Sequence, residues 1–153
     1  MDKLALASLH KHFLAADAVK QLLFVQMPTD PGKNDLGAEL TEVAQQFSAM
    51  LRLQVFYALI YVVVDGYKEL GCEDVEVDRL LQNEAFVASM RRFRNANFHF
   101  QEDPFSPKLV DFLHAEGSED WVRTLYLALN AFFTEHLQLK EVLKSLKGAN
   151  GNH

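Results

Sequence analysis

One cysteine, Cys72, stands in the 153 residues. No internal disulfide can therefore form, no Cys/His set has the spacing of zinc ligands, and a reducing cytoplasm is the expected compartment. No long apolar run spans a membrane's thickness. The longest, Val55 to Val64, falls short of the roughly 18 residues a span needs, and Arg52 and Gln54 interrupt it, so no membrane span is expected. No secretory leader is expected, because Met1-Asp2-Lys3 offers little positive charge ahead of the brief run Leu4 to Leu9. Excess basic charge is absent too. The formal net charge of -6 speaks against a broad surface that coats nucleic acid, while leaving room for a small basic pocket. There is no internal repeat, and the only biased segment is 147–153, where Gly148, Asn150, Gly151 and Asn152 predict a disordered tail.

What is present is apolar and helical in rhythm. With 49% hydrophobic residues the chain can bury a real core, and its length fits one domain, assigned to residues 1–147 with 148–153 as tail. Leu6, Leu9, Phe13, Ala16 and Leu23 recur at helical intervals and predict a first helix from Lys3 to Gln26. Met27 to Gly32, with Pro28, Pro31 and Gly32, ends it. A second helix from Leu36 to Leu70 carries the run Val55 to Val64, apolar on every side, which must be covered on every side; a second subunit is one source of cover. Gly71 suits the position after its end. A short helix over Glu73–Gln82 follows, then one capped by Asn83. Ser106 and Pro107 read as the cap and first residue of a short helix reaching His114. Ser118 is expected to cap a final helix whose stripe is Trp121, Leu125, Ala128, Phe132, Leu139, Leu143 and Leu146. The expected fold is all-α: an up-and-down helical bundle of four to five main helices around a long central apolar helix.

Chemistry concentrates in Arg91 to Phe100, where three arginines, two asparagines and a histidine alternate with aromatic residues. Arginine offers a fixed fork of donors to an anionic oxygen, and imidazole exchanges a proton near neutral pH, which suits a phosphate ligand. On a helix from Asn83, the residues Phe86, Met90, Phe93 and Asn97 share one side, the expected buried face. Arg92, Asn95 and His99 fall within a ~60° arc on another side, whereas Arg94 lies ~140° from His99. Arg94 and His99 can meet one phosphate only if the helix frays at His99, if long side chains wrap toward a groove, or if a second chain completes the site.

The run Arg94-Asn95-Ala96-Asn97-Phe98-His99 resembles the R-x4-6-H signature of the HEPN superfamily (higher eukaryotes and prokaryotes nucleotide-binding), including the polar residue after the arginine. The specific motif covers six residues; the helical layout resembles that family over residues 36–146. The resemblance implies a metal-independent endoribonuclease, without cofactor, whose cleft forms between two chains of a homodimer acting on RNA or nucleotide. Arg94, Asn95 and His99 would be its catalytic residues, with Arg91 and Arg92 binding substrate. Arg92 also fits the signature's longer spacing; Arg94 is preferred for the Asn95 that follows it. Toxin–antitoxin or antiphage defence, with an antitoxin protein as partner, is the family-level expectation. Some toxin members carry a modified tyrosine two residues after the histidine, where this chain has Gln101.

Plainer roles stand beside these. The arginines could form a solvated face paired with Glu84 or Glu102, His99 could end a helix where a cation is favoured, and Asn97 could serve as a structural hydrogen-bonder. His10, His12, His114 and His136 are expected at the surface or in packing, and Tyr57, Tyr61 and Tyr67 in the core or a dimer seam. A non-catalytic helical module that binds nucleotide, RNA or a protein partner through the same basic groove is the alternative function.

Overall fold

A computed structural model describes residues 2–25, 38–103 and 106–137, and these form six helices with no strand among them: α1 (Lys3–Gln21), α2 (Ala38–Glu69), α3 (Val75–Leu81), α4 (Glu84–Phe98), α5 (Pro107–Leu113) and α6 (Ser118–His136). Two have only seven residues, so four long helices make the all-α bundle. The proposed tail, and the stripe residues Leu139, Leu143 and Leu146, lie outside the described residues.

The buried residues of α1, Leu6, Leu9, Phe13 and Ala16, keep the expected spacing and pack on α2. Asp2 caps the helix by accepting from the Leu4 amide. Its end comes at Gln21, five residues before the expected Gln26. The reason lies 30 residues away: the Arg52 guanidinium of α2 donates to the carbonyls of Leu22 and Val25, the latter at 2.9 Å. These are oxygens that a continuing ladder would use differently, and a tertiary arginine takes them instead. The residue that broke the apolar run on α2 is thus what terminates α1.

The second half of α2 is the centre of the molecule. Phe56, Tyr57, Ala58, Ile60, Tyr61, Val63, Val64 and Tyr67 are all buried, while Leu59, Val62 and Asp65 share a half-buried side, so its own chain covers most of this helix and not all of it. All three tyrosines belong to this core. At Gly66 the close approach of α1 is sharpest, since a Cβ there would stand 2.5 Å from a Leu9 methyl. Gly71, with φ +59, closes the helix: its amide bonds the Lys68 carbonyl and the Cys72 amide bonds that of Tyr67, the paired pattern of a left-handed helix end.

The first half of α2 is different. Leu40, Val43, Phe47 and Leu51, spaced as one helical stripe, are exposed. As one helix, residues 40–69 are long and apolar enough by length and composition to cross a membrane, which removes the length argument against a span; 39% of the relevant window is buried in the bundle. Packing against α1 and α4 accounts for the apolar character of 56–67.

Around that centre, the rings of Phe93 of α4 and Phe112 of α5 pack tilted against each other beside Tyr57, while Phe132 of α6 meets the edge of Tyr67. The Trp121 indole N–H donates to the Leu80 carbonyl at 3.1 Å, tying α6 to the end of α3. α3 starts at Val75 with Asp74 as cap, two residues later than expected. Ser106 precedes Pro107 as expected, although its hydroxyl makes no capping bond. Ser118 is not a cap. Gly117, at φ +77, takes that position and Ser118 becomes a buried first residue of α6, because the left-handed turn here needs glycine.

Candidate functional site: a basic groove along α4

Asn83 caps α4 as the sequence predicts, its side chain accepting from the Phe86 amide at 3.2 Å. From there Ser89, Met90, Phe93 and Ala96 turn inward. Phe86 and Asn97, expected on that face, sit at its rim, half-buried, and the Asn97 amide donates to the Phe93 carbonyl one turn back. Asn97 therefore has a structural role.

The opposite side of α4 forms one wall of an open groove of about 780 Å³, lined by Glu84, Val87, Ala88, Arg91, Arg92 and Asn95. Tyr61, Asp65 and Lys68 of α2, also three and four residues apart, make the other wall, and Leu81 closes one end. The groove therefore brings together Arg91, Arg92 and Asn95 of the expected site. Neither arginine has an ion-pair partner among the described residues; the expected pairings with Glu84 or Glu102 are not formed. Both are exposed.

Arg94 is placed differently. It lies at the boundary between the buried face and the groove face, where its Nη2 donates to Asp65 Oδ2 at 3.0 Å and its guanidinium stands 5.3 Å from the centre of the Tyr61 ring. Its Nε is buried without a partner. Counting that pair, Lys68, Arg91, Arg92 and Arg94 face Asp65 and Glu84, a surplus of two positive charges on a chain of net charge -6. The cluster is felt by Tyr61: burial and then Asp65 push its hydroxyl pKa up, and Arg91 and Arg94 pull against them.

His99 lies beyond the last turn. Its amide still bonds the Asn95 carbonyl at 3.1 Å, but its backbone is extended, with φ -123 and ψ 141, so α4 ends at Phe98 and the regular arc of Arg92, Asn95 and His99 stops there. The side chain is exposed and is not part of the groove lining. Gln101 holds this end, its amide donating at 3.0 Å to the carbonyls of both His99 and Phe100. Within one chain, then, Asn95 sits in the groove, Arg94 at its edge and His99 one turn past it.

Asp65, Lys68 and Tyr61 are partners that the motif alone did not reveal. Their signal was present as a polar spacing of four and three at the C-terminal end of an apolar run. No group of three or more His, Cys, Asp or Glu placed to hold a metal occurs among the described residues. Of the other described histidines, His10 lies on Phe133 and Phe13 and His136 bonds the Phe132 carbonyl, while His12 and His114 are exposed. Comparison with protein-family profiles, with curated proteins and with solved structures gives no match to this chain.

Proposed function

We propose that the protein is a metal-independent endoribonuclease of the HEPN type. The observation that carries this reading is the surplus of positive charge in the groove of Arg91, Arg92 and Asn95, which ends one helical turn before an exposed histidine. RNA cleavage without metal needs a base to take the 2′-hydroxyl proton, an acid to protonate the departing 5′-oxygen, and cations beside the phosphoryl oxygens. The 2′-oxygen then bonds to phosphorus as the 5′-oxygen leaves, giving a cyclic phosphate and a free 5′-hydroxyl. His99 exchanges the protons, Arg94 neutralises the phosphate, Asn95 orients it, and Arg91 and Arg92 hold the flanking backbone.

Each chain supplies a single such histidine, so the complete acid–base pair belongs to a homodimer. That dimer has to bring the two C-terminal ends of α4 together. A toxin or antiphage role with an antitoxin partner, and a cytoplasmic location, follow from the same family-level proposal.

Cleavage of RNA in the presence of EDTA tests it, comparing the wild type with His99→Ala. The alanine variant should lose at least about 100-fold in rate, the lower end of what a positioned acid–base group contributes. Intact RNA with the wild type, or equal cutting by the variant, overturns the nuclease mechanism. One observation favours the second reading, a binding module without catalysis: Arg94 is engaged by Asp65 instead of facing the groove. In that case RNA or nucleotide binds through Arg91 and Arg92 and is released unchanged.

A further inference from the structure

The C-terminal end of α4 exposes two large aromatic rings on either side of His99. Phe98 is 48% exposed and Phe100 is 90% exposed, whereas on the preceding turns of α4 Phe93 is fully buried and Phe86 packs on Trp121. Helical spacing puts Phe98 on the groove side. It lies three residues after Asn95 and seven after Arg91, continuing the row that lines the groove, ~140° round the helix from the buried Phe93. His99 is extended, and Gln101 fixes the carbonyls of His99 and Phe100. Phe100 is thereby held beside His99, free of the core.

We propose that Phe98 and Phe100 are stacking platforms for unpaired bases of a single-stranded RNA whose phosphates follow Arg91, Arg92 and Asn95. The inference rests on the RNA reading above and deepens it by naming the strandedness of the substrate and the residues that select for it. A basic track with aromatic rings at its end is what binds single strands: cations follow the phosphates, and each ring takes one base face whatever its identity. Bases inside a duplex have both faces occupied by their neighbours and present none to a phenyl ring. Arg91 and Arg92 on the adjoining turns, without an ion-pair partner among the described residues, favour a polyanion as occupant over an apolar protein surface. Base recognition at this point also immobilises the nucleotides on either side of the bond that His99 would address.

The test uses the full chain carrying His99→Ala, so that RNA survives, and three fluorescein-labelled probes of about eight nucleotides: an unpaired RNA, the same backbone without bases, and a duplex. Fluorescence anisotropy should rank the unpaired RNA between about fivefold and about a hundredfold above the baseless strand, and above the duplex, the range expected for stacking. Phe100→Ala and Phe98→Ala should bring the unpaired RNA towards the level of the baseless strand without changing the latter. Phe100→Trp should restore binding, with tryptophan emission quenched by the stacked base. If bases make no difference while Arg91→Ala weakens every probe, stacking is refuted and the phosphate groove stands. If no probe binds, both proposals fail. If the Phe→Ala variants instead split a dimer in light scattering and leave RNA affinity intact, the rings serve a second copy of the chain and the proposal is overturned.

Discussion

Replacing Asp65 by asparagine would separate two consequences of the pair it makes with Arg94. The contact is 3.0 Å, with side chains 46% and 25% exposed. At that distance two unit charges attract by about 1.4 kcal/mol in water and about 5.5 kcal/mol at an effective dielectric of 20. Lost hydration and side-chain ordering cancel most of this, and the openness of Asp65 puts the net near the upper end for surface pairs, about 1 kcal/mol. The amide that replaces the carboxylate keeps an acceptor for Arg94 and removes only the charge, so urea unfolding should show a loss of about 1 kcal/mol with unchanged slope. RNA binding should move the other way. A phosphate gripping the far side of the guanidinium would lie roughly 6 Å from the carboxylate, where like charges repel by about 0.7 to 2.8 kcal/mol between those two dielectrics. Asp65→Asn should therefore tighten RNA binding about tenfold in low salt, and less as salt screens the groove. Anisotropy titrations at two ionic strengths measure it. Unchanged or weaker binding by a folded variant refutes the idea that Arg94 meets the phosphate and that Asp65 competes with it.

Three further outcomes follow from the packing. Trp121→Phe removes the donor to the Leu80 carbonyl and should cost about 1 to 2 kcal/mol in urea unfolding, since a buried acceptor loses its partner. Burial, then the hydrogen bond and charge of Asp17, push the Tyr126 hydroxyl pKa up to about 12. Its contribution is complete below the unfolded value near 10 and is lost as pH rises through 12, so Tyr126→Phe should flatten the fall in melting temperature across that alkaline window. Burial pushes the His10 pKa below its usual 6.5. The stability it contributes is present above 6.5 and declines on acidification, and His10→Phe, which keeps a ring against Phe133, should reduce the loss of melting temperature below pH 6.

The helices were legible wherever the signal was local. Asn83, Pro107 and Gly71 mark their boundaries by chemistry that needs only the adjacent turn, and the structure uses all three. The errors arose where a distant group decided or where a neighbour's backbone conformation did. Leu22 and Leu23 continue an apolar pattern, yet Arg52 claims the carbonyls that follow Gln21. Ser118 has the composition of a cap, but the turn before it requires a left-handed residue and Gly117 provides it. The site shows the same division. The ~140° offset of Arg94 from the His99 face could be worked out from spacing alone, and it corresponds to an arginine at the edge of the buried face. Its partner could not, because Asp65 is 29 positions away and becomes a neighbour only when α2 and α4 pack. His99 also leaves the helix, which a regular wheel of ~100° per residue cannot represent.

The two halves of α2 have opposite relations to solvent, and this bears on how the protein behaves in a tube. Most of residues 56–67 are buried against their own chain, whereas Leu40, Val43, Phe47 and Leu51 hold a stripe of apolar surface in water. Surface of that kind gains by being covered. Any self-association through it joins the folded state to mass action, so the melting temperature of this protein should climb with protein concentration, even though the groove and the buried half of α2 remain as they are.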